Sequence, residues 1–177
     1  MVPMDSYRLI PAEALSDNPF TLIGKDWMLI TATDDKGDYN TMTASWGGVG
    51  VLWNKNVCFL FVRPERYTHD FAEKGSCMTL TFFGEEHRDA LRFCGRNSGR
   101  TIDKVKACGL TPVRDEDGAV YFEEGRLVIS VRKLYCGKLE ESAFIDRDLL
   151  SHYESGGYHT FYIAEISSVR IKNTEEK

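Results

Sequence analysis

Residues 57–62 read VCFLFV and stop at Arg63-Pro64. Their apolar character on both faces suits a barrel strand buried on both sides. The proline ends the run, because it has no N–H to give a ladder and holds the preceding residue extended. Other segments repeat the theme. Residues 27–33 (WMLITAT) read as a strand, 34–38 (DDKGD) as a turn, and 39–46 as the returning strand. Residues 78–83 alternate, with Met78, Leu80 and Phe82 on one face and Thr79, Thr81 and Phe83 on the other. Residues 127–135 and 159–171 are the late strands, the second with Phe161, Ile163, Val169 and Ile171 sharing a face. About six strands with short helices between them predict a mainly β fold, a β-barrel with inserted helices, over βαβ winding.

The helices are short. Thr68 is placed to cap one that ends at Gly75, with Asp70 favourable in its first turn. Glu85-Glu86 open a second, in which His87, Ala90, Leu91 and Cys94 share a face. Residues 95–100 (GRNSGR) read as a loop, and Thr101 as the cap of a third helix that buries Ile102 and Val105 and ends at Gly109. Asp146 is placed to cap a helix presenting Leu149, Leu150 and Tyr153. Residues 1–20 hold Pro3, Pro11 and Pro19 and read as an extended arm, with a short helix near residues 12–15; residues 173–177 read as a solvated tail. No linker or repeat divides the 177 residues, so a single domain over 1–177 is expected.

The bulk chemistry narrows the function. A net charge of −5 argues against a nucleic-acid partner, which needs a dominant basic surface. No apolar run is long enough for a membrane helix, and the N-terminus lacks a signal-peptide core, so a cytoplasmic protein without a membrane role is expected. The five cysteines form no CxxC pair and read as reduced, small buried side chains. The histidines have no carboxylate or cysteine at ligand spacing, so no metal site is expected.

Four groups carry the candidate chemistry. Strand alternation puts Thr41, Thr43 and Ser45 on one face, beside Ala44, Trp46 and the free backbone of Gly47-Gly48; this ribbon suits a flat polar ring. Trp46 either stacks on that ring or fills the core. Next, Arg63, Pro64, Arg66 and Thr68 surround a helix start whose N–H groups, guanidiniums and hydroxyl suit a phosphate. Ser98, Gly99, Arg100 and Lys104 repeat that chemistry, and the two loops converging on one phosphate would make a flavin mononucleotide site. Neither loop matches a nucleoside-triphosphate or Rossmann motif. Lastly, His159 follows a Gly-Gly-Tyr loop and reads as a proton donor, a nicotinamide contact or a surface side chain.

Four blocks in order, TMTASWGGVGVLW, FVRPERYTHDF, FCGRNSGRTIDKVKACGL and GYHTFYIAEI, resemble the flavin reductase-like, FMN-binding split β-barrel family, and within it the flavoredoxin-like branch. The resemblance spans residues 20–171. It implies a homodimer with FMN near the interface. Thr43, Ala44, Ser45 and Trp46 would line the isoalloxazine ring. Arg63, Pro64, Arg66 and Thr68 would hold the ribityl-phosphate region, and Ser98, Gly99, Arg100 and Lys104 would complete the phosphate site. His159 matches a histidine before the last strand. Tyr158 stands where many members have Asp, and Ala164 where many have Gly, so the resemblance implies the flavin more firmly than its donor. Three functions stay open: hydride transfer from NAD(P)H to flavin, electron transfer with a redox protein partner, and a non-catalytic FMN-binding module.

Overall fold

The computed structural model describes residues 6–173. Pro3 of the arm and all but Asn173 of the expected tail lie outside the described residues. The strands are β1 (Tyr7–Ile10), β2 (Met28–Thr33), β3 (Tyr39–Ala44), β4 (Gly47–Leu52), β5 (Lys55–Val62), β6 (Cys77–Phe82), β7 (Pro112–Arg114), β8 (Val120–Phe122), β9 (Leu127–Lys138) and β10 (Thr160–Lys172). One antiparallel sheet runs β3-β2-β6-β9-β10-β5-β4, with β1 paired to β10, and β7-β8 form a separate hairpin. The arm is therefore partly strand: β1 continues the line of β5 along the far half of β10. The α-helices are α1 (Pro19–Thr21), α2 (Tyr67–Lys74), α3 (Arg88–Arg96) and α4 (Lys104–Ala107).

Chain connectivity closes this sheet. Its two end strands, β3 and β4, are consecutive in sequence and joined only by Ser45 and Trp46. At 3.8 Å per Cα step, Ala44 and Gly47 lie at most about 11 Å apart. Strands at opposite ends of a seven-strand path can be that close only if the sheet curls into a barrel, and the unpaired seam between them is the split.

Alternation fills the interior. Met28 and Ile30 of β2, Leu60 and Val62 of β5, and Leu80 and Phe82 of β6 pack there with at most 1% exposure. A second cluster lies outside the sheet, where Leu29 meets Leu91 and Cys94 of α3 (Arg88–Arg96) and Phe122 of β8. Burial on both faces, expected for residues 57–62, is complete in β2 instead; in β5 the outward Phe59 and Phe61 are only half-buried. β10 departs from simple alternation. Tyr162 and Ala164 point inward, and after a register shift between Ile166 and Ser168 the inward residue is Val169. Phe161 therefore does not share the face of Val169; the bulge changes the parity.

Two of the expected caps are corrected. Arg66 holds the cap position of α2 (Tyr67–Lys74), and Thr68 is buried within the helix, its hydroxyl accepting from Asn40 Nδ2 at 2.8 Å. At α4 (Lys104–Ala107) the cap is Asp103, which accepts from the Lys106 N–H at 3.1 Å; the Thr101 hydroxyl donates to Ser98 O. Ile102 is 38% exposed, where burial was expected. Gly95 and Arg96 belong to the end of α3 and not to a loop. Asp146 does cap its helix, a 3-10 segment Arg147–Tyr153, but Leu149 is exposed. All five cysteines are free thiols, and Cys136 is exposed, not buried.

Candidate functional site

The split seam opens a cleft. Met42, Thr43, Ala44, Ser45 and Trp46 form one wall, the end of β3 and the link to β4; Phe61, Arg63, Arg66 and His159 face them. Thr43 is held by its hydroxyl, which donates to Leu91 O of α3 at 2.5 Å. Trp46 is 48% exposed, so it does not fill the core, and its ring lies 5.5 Å from the His159 ring and 5.4 Å from that of His152.

His159 is buried and shares a hydrogen bond between its Nδ1 and the Tyr153 hydroxyl at 2.7 Å. Burial and then the nearby Arg63 guanidinium pull its pKa down to about 4, so the imidazole is neutral at neutral pH. Arg63 donates to His152 O at 2.6 Å and lies over the Tyr153 ring at 4.9 Å, which pins the 147–153 segment to this end of the cleft. Tyr158 stacks on Tyr153 at 4.9 Å. Tyr153 is thus a site residue that sequence reading placed only on a helix face; no local motif links it to a histidine six positions on. Ala164, by contrast, is fully buried in the barrel core and takes no part in the cleft.

Arg66 leads from this cavity to a second one, lined by Tyr67, Thr68, Gly95, Ser98, Gly99 and Lys104 among others. Three segments meet there. A Cβ on Gly99 would stand 2.0 Å from Asn40 Oδ1, so any larger residue there must displace the Asn40 side chain. Asn40 in turn ties β3 to Thr68 of α2. Lys104 is 4% exposed; its Nζ donates to Thr41 O and to Cys94 O, the latter at 3.3 Å. Burial, chiefly, brings its pKa down to about 8. Arg66 is half-buried and donates to Cys94 O at 3.4 Å, its pKa also lowered by burial. Among the described residues neither cation has a carboxylate partner. A desolvated pair of cations with only carbonyl partners is an unfilled demand for an anion.

Of the predicted residues, the structure brings Thr43, Ala44, Ser45, Trp46, Arg63, Arg66 and His159 around one cavity. Thr68, Ser98, Gly99 and Lys104 join Arg66 around the next. Pro64 lines neither cavity; it follows Arg63 in the turn before α2. Arg100 stands apart: it pairs with Asp70 at 2.7 Å, donates to Glu65 O and lies over the Tyr67 ring, facing an adjoining cavity instead. Among the described residues no three His, Cys, Asp or Glu side chains cluster as metal ligands would, and no helix is long and apolar enough to cross a membrane.

The fold and cleft define a class: a split β-barrel whose seam offers a flat polar slot at one end and a cationic pocket at the other. The chain belongs to the flavin reductase like domain family, whose model matches residues 22–177. Its architecture is that of solved flavin reductase-like split barrels. Flavoredoxin of Desulfovibrio vulgaris (Miyazaki F) matches with a TM-score of 0.66 and 20% identity, over 93% of this chain and 76% of that one. A split barrel domain protein of Shewanella frigidimarina NCIMB 400 matches with a TM-score of 0.67 and 18% identity, over 93% and 79%. An FMN-binding protein of Thermus thermophilus, solved with 1-cyclohex-2-enone, matches with a TM-score of 0.63 and 17% identity, over 92% and 79%. No curated protein matches the sequence.

Proposed function

We propose that the chain is an FMN-binding oxidoreductase that takes electrons from NAD(P)H and works as a cytoplasmic homodimer. The observation that carries the reading is a pair of cations, buried Lys104 and half-buried Arg66, without a carboxylate partner among the described residues; Arg66 joins the cavity of Trp46 and His159 to the one that holds Lys104. FMN has the matching shape: a flat polar ring, a flexible ribityl chain and a phosphate dianion. Arg66, Thr68, Ser98 and Lys104 hold the phosphate, and the 43–46 ribbon holds the ring edge through backbone groups and short side chains. When bound, the flavin supplies the two-electron chemistry, accepting a hydride from reduced nicotinamide. The protein orients it and keeps water away. Neutral His159, its Nδ1 engaged by Tyr153, presents its other nitrogen for a hydrogen bond to a substrate carboxamide.

A second copy of the chain fits one exposed face. Trp53 and Tyr135 are 54% and 50% exposed, and their rings continue through Phe161 and Phe61 at spacings of 5.9–6.4 Å to His159 in the cleft. An exposed aromatic run that leads into a site is the composition of an interface core. Five free thiols suit a reducing compartment.

The experiment is a visible spectrum of the purified protein, followed by NADH and NADPH oxidation assays. A flavin spectrum identified as FMN, with oxidation of either nucleotide, is expected. Bound FMN with no nucleotide oxidation removes the reductase and leaves electron transfer with a redox protein; failure to bind FMN removes the whole reading.

A further inference from the structure

Cys94, near the end of α3, and Cys108, just past α4, stand with their sulfurs 3.9 Å apart and are separated by 14 positions in the chain. Among the described residues no other thiol pair is hydrogen-bonded. Flavin binding as described leaves this pair unused. The chain between the two carries Ser98, Gly99 and Lys104 of the anion pocket. The backbone of both cysteines also holds that pocket. Cys94 O accepts from Lys104 Nζ at 3.3 Å and from Arg66 at 3.4 Å, and the Cys108 N–H donates to Lys104 O at 3.0 Å. Cys94 is fully buried and Cys108 is partly exposed, so an oxidant from solvent meets Cys108 first. A disulfide sets its sulfurs about 2.05 Å apart, so bridging asks for an approach of about 2 Å. Thiol rotation and a shift of α4, a single turn followed by Cys108 and Gly109, share that movement.

We propose that Cys94 and Cys108 are a redox-active dithiol, oxidised by a hydroperoxide to a disulfide that clamps the anion-binding loop between them. The Cys108 thiolate attacks one oxygen of hydrogen peroxide; the O–O bond breaks, giving a sulfenic acid and one water. The Cys94 sulfur then displaces that hydroxyl: the S–S bond forms, the S–O bond breaks, and a second water leaves with the Cys94 proton. Two thiols lose two electrons and one peroxide gains them. A small thiol reverses the reaction by exchange, as suits a transient bond in a reducing compartment. Burial raises both thiols, Cys94 to about 12, against the nearby Lys104 cation and, at Cys94, that of Arg66. At Cys108 the hydrogen bond from Cys94 opposes the rise as well. The attacking group is therefore Cys108, and mildly alkaline pH speeds the step. Closing the ring restricts the loop, so it opens less often. The bond needs no flavin; only its effect on FMN release rests on the flavin reading above.

The test is hydrogen peroxide treatment of the full chain at mildly alkaline pH, with the remaining thiols blocked before tryptic mapping. Trypsin cuts at Arg92, Arg96, Lys106 and Arg114, so a linked pair of peptides, 93–96 joined to 107–114, is expected, and dithiothreitol is expected to separate them. Hydrogen exchange then compares the two forms. Amides of residues 97–104 should exchange at least about tenfold more slowly in the oxidised protein. FMN release should slow by about threefold or more, because release needs that loop to open. Cys108→Ser should abolish the linked peptides and both shifts; if that variant fails to fold, the oxidised protein reduced again with dithiothreitol is the control. Sulfinic acid at Cys108, or pairing through Cys77 or Cys136 in place of the linked peptides, overturns the dithiol. Linked peptides without slower exchange overturn the clamp. A chain that takes up no FMN removes the flavin reading, and mapping with exchange still decides the dithiol.

Discussion

Burial lowers the pKa of both Lys104 and His159, and pH separates their effects. Lys104 has a folded pKa of about 8 against an ordinary 10.5. Between those values the unfolded chain binds more protons than the folded one, so stability of the flavin-free protein rises with pH from about 8 to 10.5. Below about 8 both states are protonated and the penalty is constant. Lys104→Met should flatten that rise, read as the melting temperature across pH against the unaltered protein. The same change should weaken FMN binding by about 1.5–3 kcal/mol, the worth of a hydrogen bond to a charged group; an unchanged affinity would remove Lys104 from the phosphate site. For His159 the folded value of about 4 lies below the ordinary 6.5, so its contribution to stability is intact above 6.5 and is lost as pH falls towards 4. Tyr162 offers a simpler check. It is fully buried and its hydroxyl has no partner among the described residues. Tyr162→Phe removes that orphan group and should stabilise the protein by about 1 kcal/mol, seen as a higher urea midpoint.

Elements explain why some of this was legible in the sequence and some not. β2, β5 and β6 were plain because each carries six or more residues whose alternation or apolar run leaves one solution. β1, β7 and β8 have four, three and three residues, too few for a period, and owe their shape to the strands they pair with. β4 hid behind Gly47, Gly48 and Gly50, which carry no side chains to show an alternation although they form half a hairpin with β5. The two threonine caps failed for one reason. A hydroxyl near a helix start takes whichever partner tertiary packing presents, and for Thr68 that is Asn40 from another strand. Both phosphate-competent loops were visible as residue types; the burial of Lys104 was not, because periodicity treats a lysine as solvated. One element carries a direct test. α4 is a single turn that sets Lys104, and its only side-chain cap is Asp103. Asp103→Ala should cost about 1 kcal/mol of stability and weaken FMN binding with it, measured by denaturant unfolding and flavin titration on the same variant.

At the scale of the molecule, the barrel is closed by a link too short to be anything else, and the flavin slot is a consequence of that closure: Ser45 and Trp46 are both the hinge between the end strands and the wall of the cleft. The proposed dimer depends on the same geometry at the other end of β4. There the chain turns through Trp53 and Asn54 with φ of 54° and 56°, a two-residue hairpin turn whose left-handed positions favour Asn and Gly. A tryptophan at the first of them is strained by about 1–2 kcal/mol, and its ring stays 54% exposed beside Tyr135. Strain kept together with exposure points to a ring used in contact with another surface. Trp53→Asn separates the two effects. It should raise the stability of the isolated chain by about 1 kcal/mol, because asparagine tolerates the turn. It should also shift sedimentation from dimer towards monomer at micromolar concentration, because the anchor is gone. A dimer unchanged by Trp53→Asn and by Tyr135→Glu together would place the second copy elsewhere, and a stability loss in Trp53→Asn would show that the ring packs within its own chain.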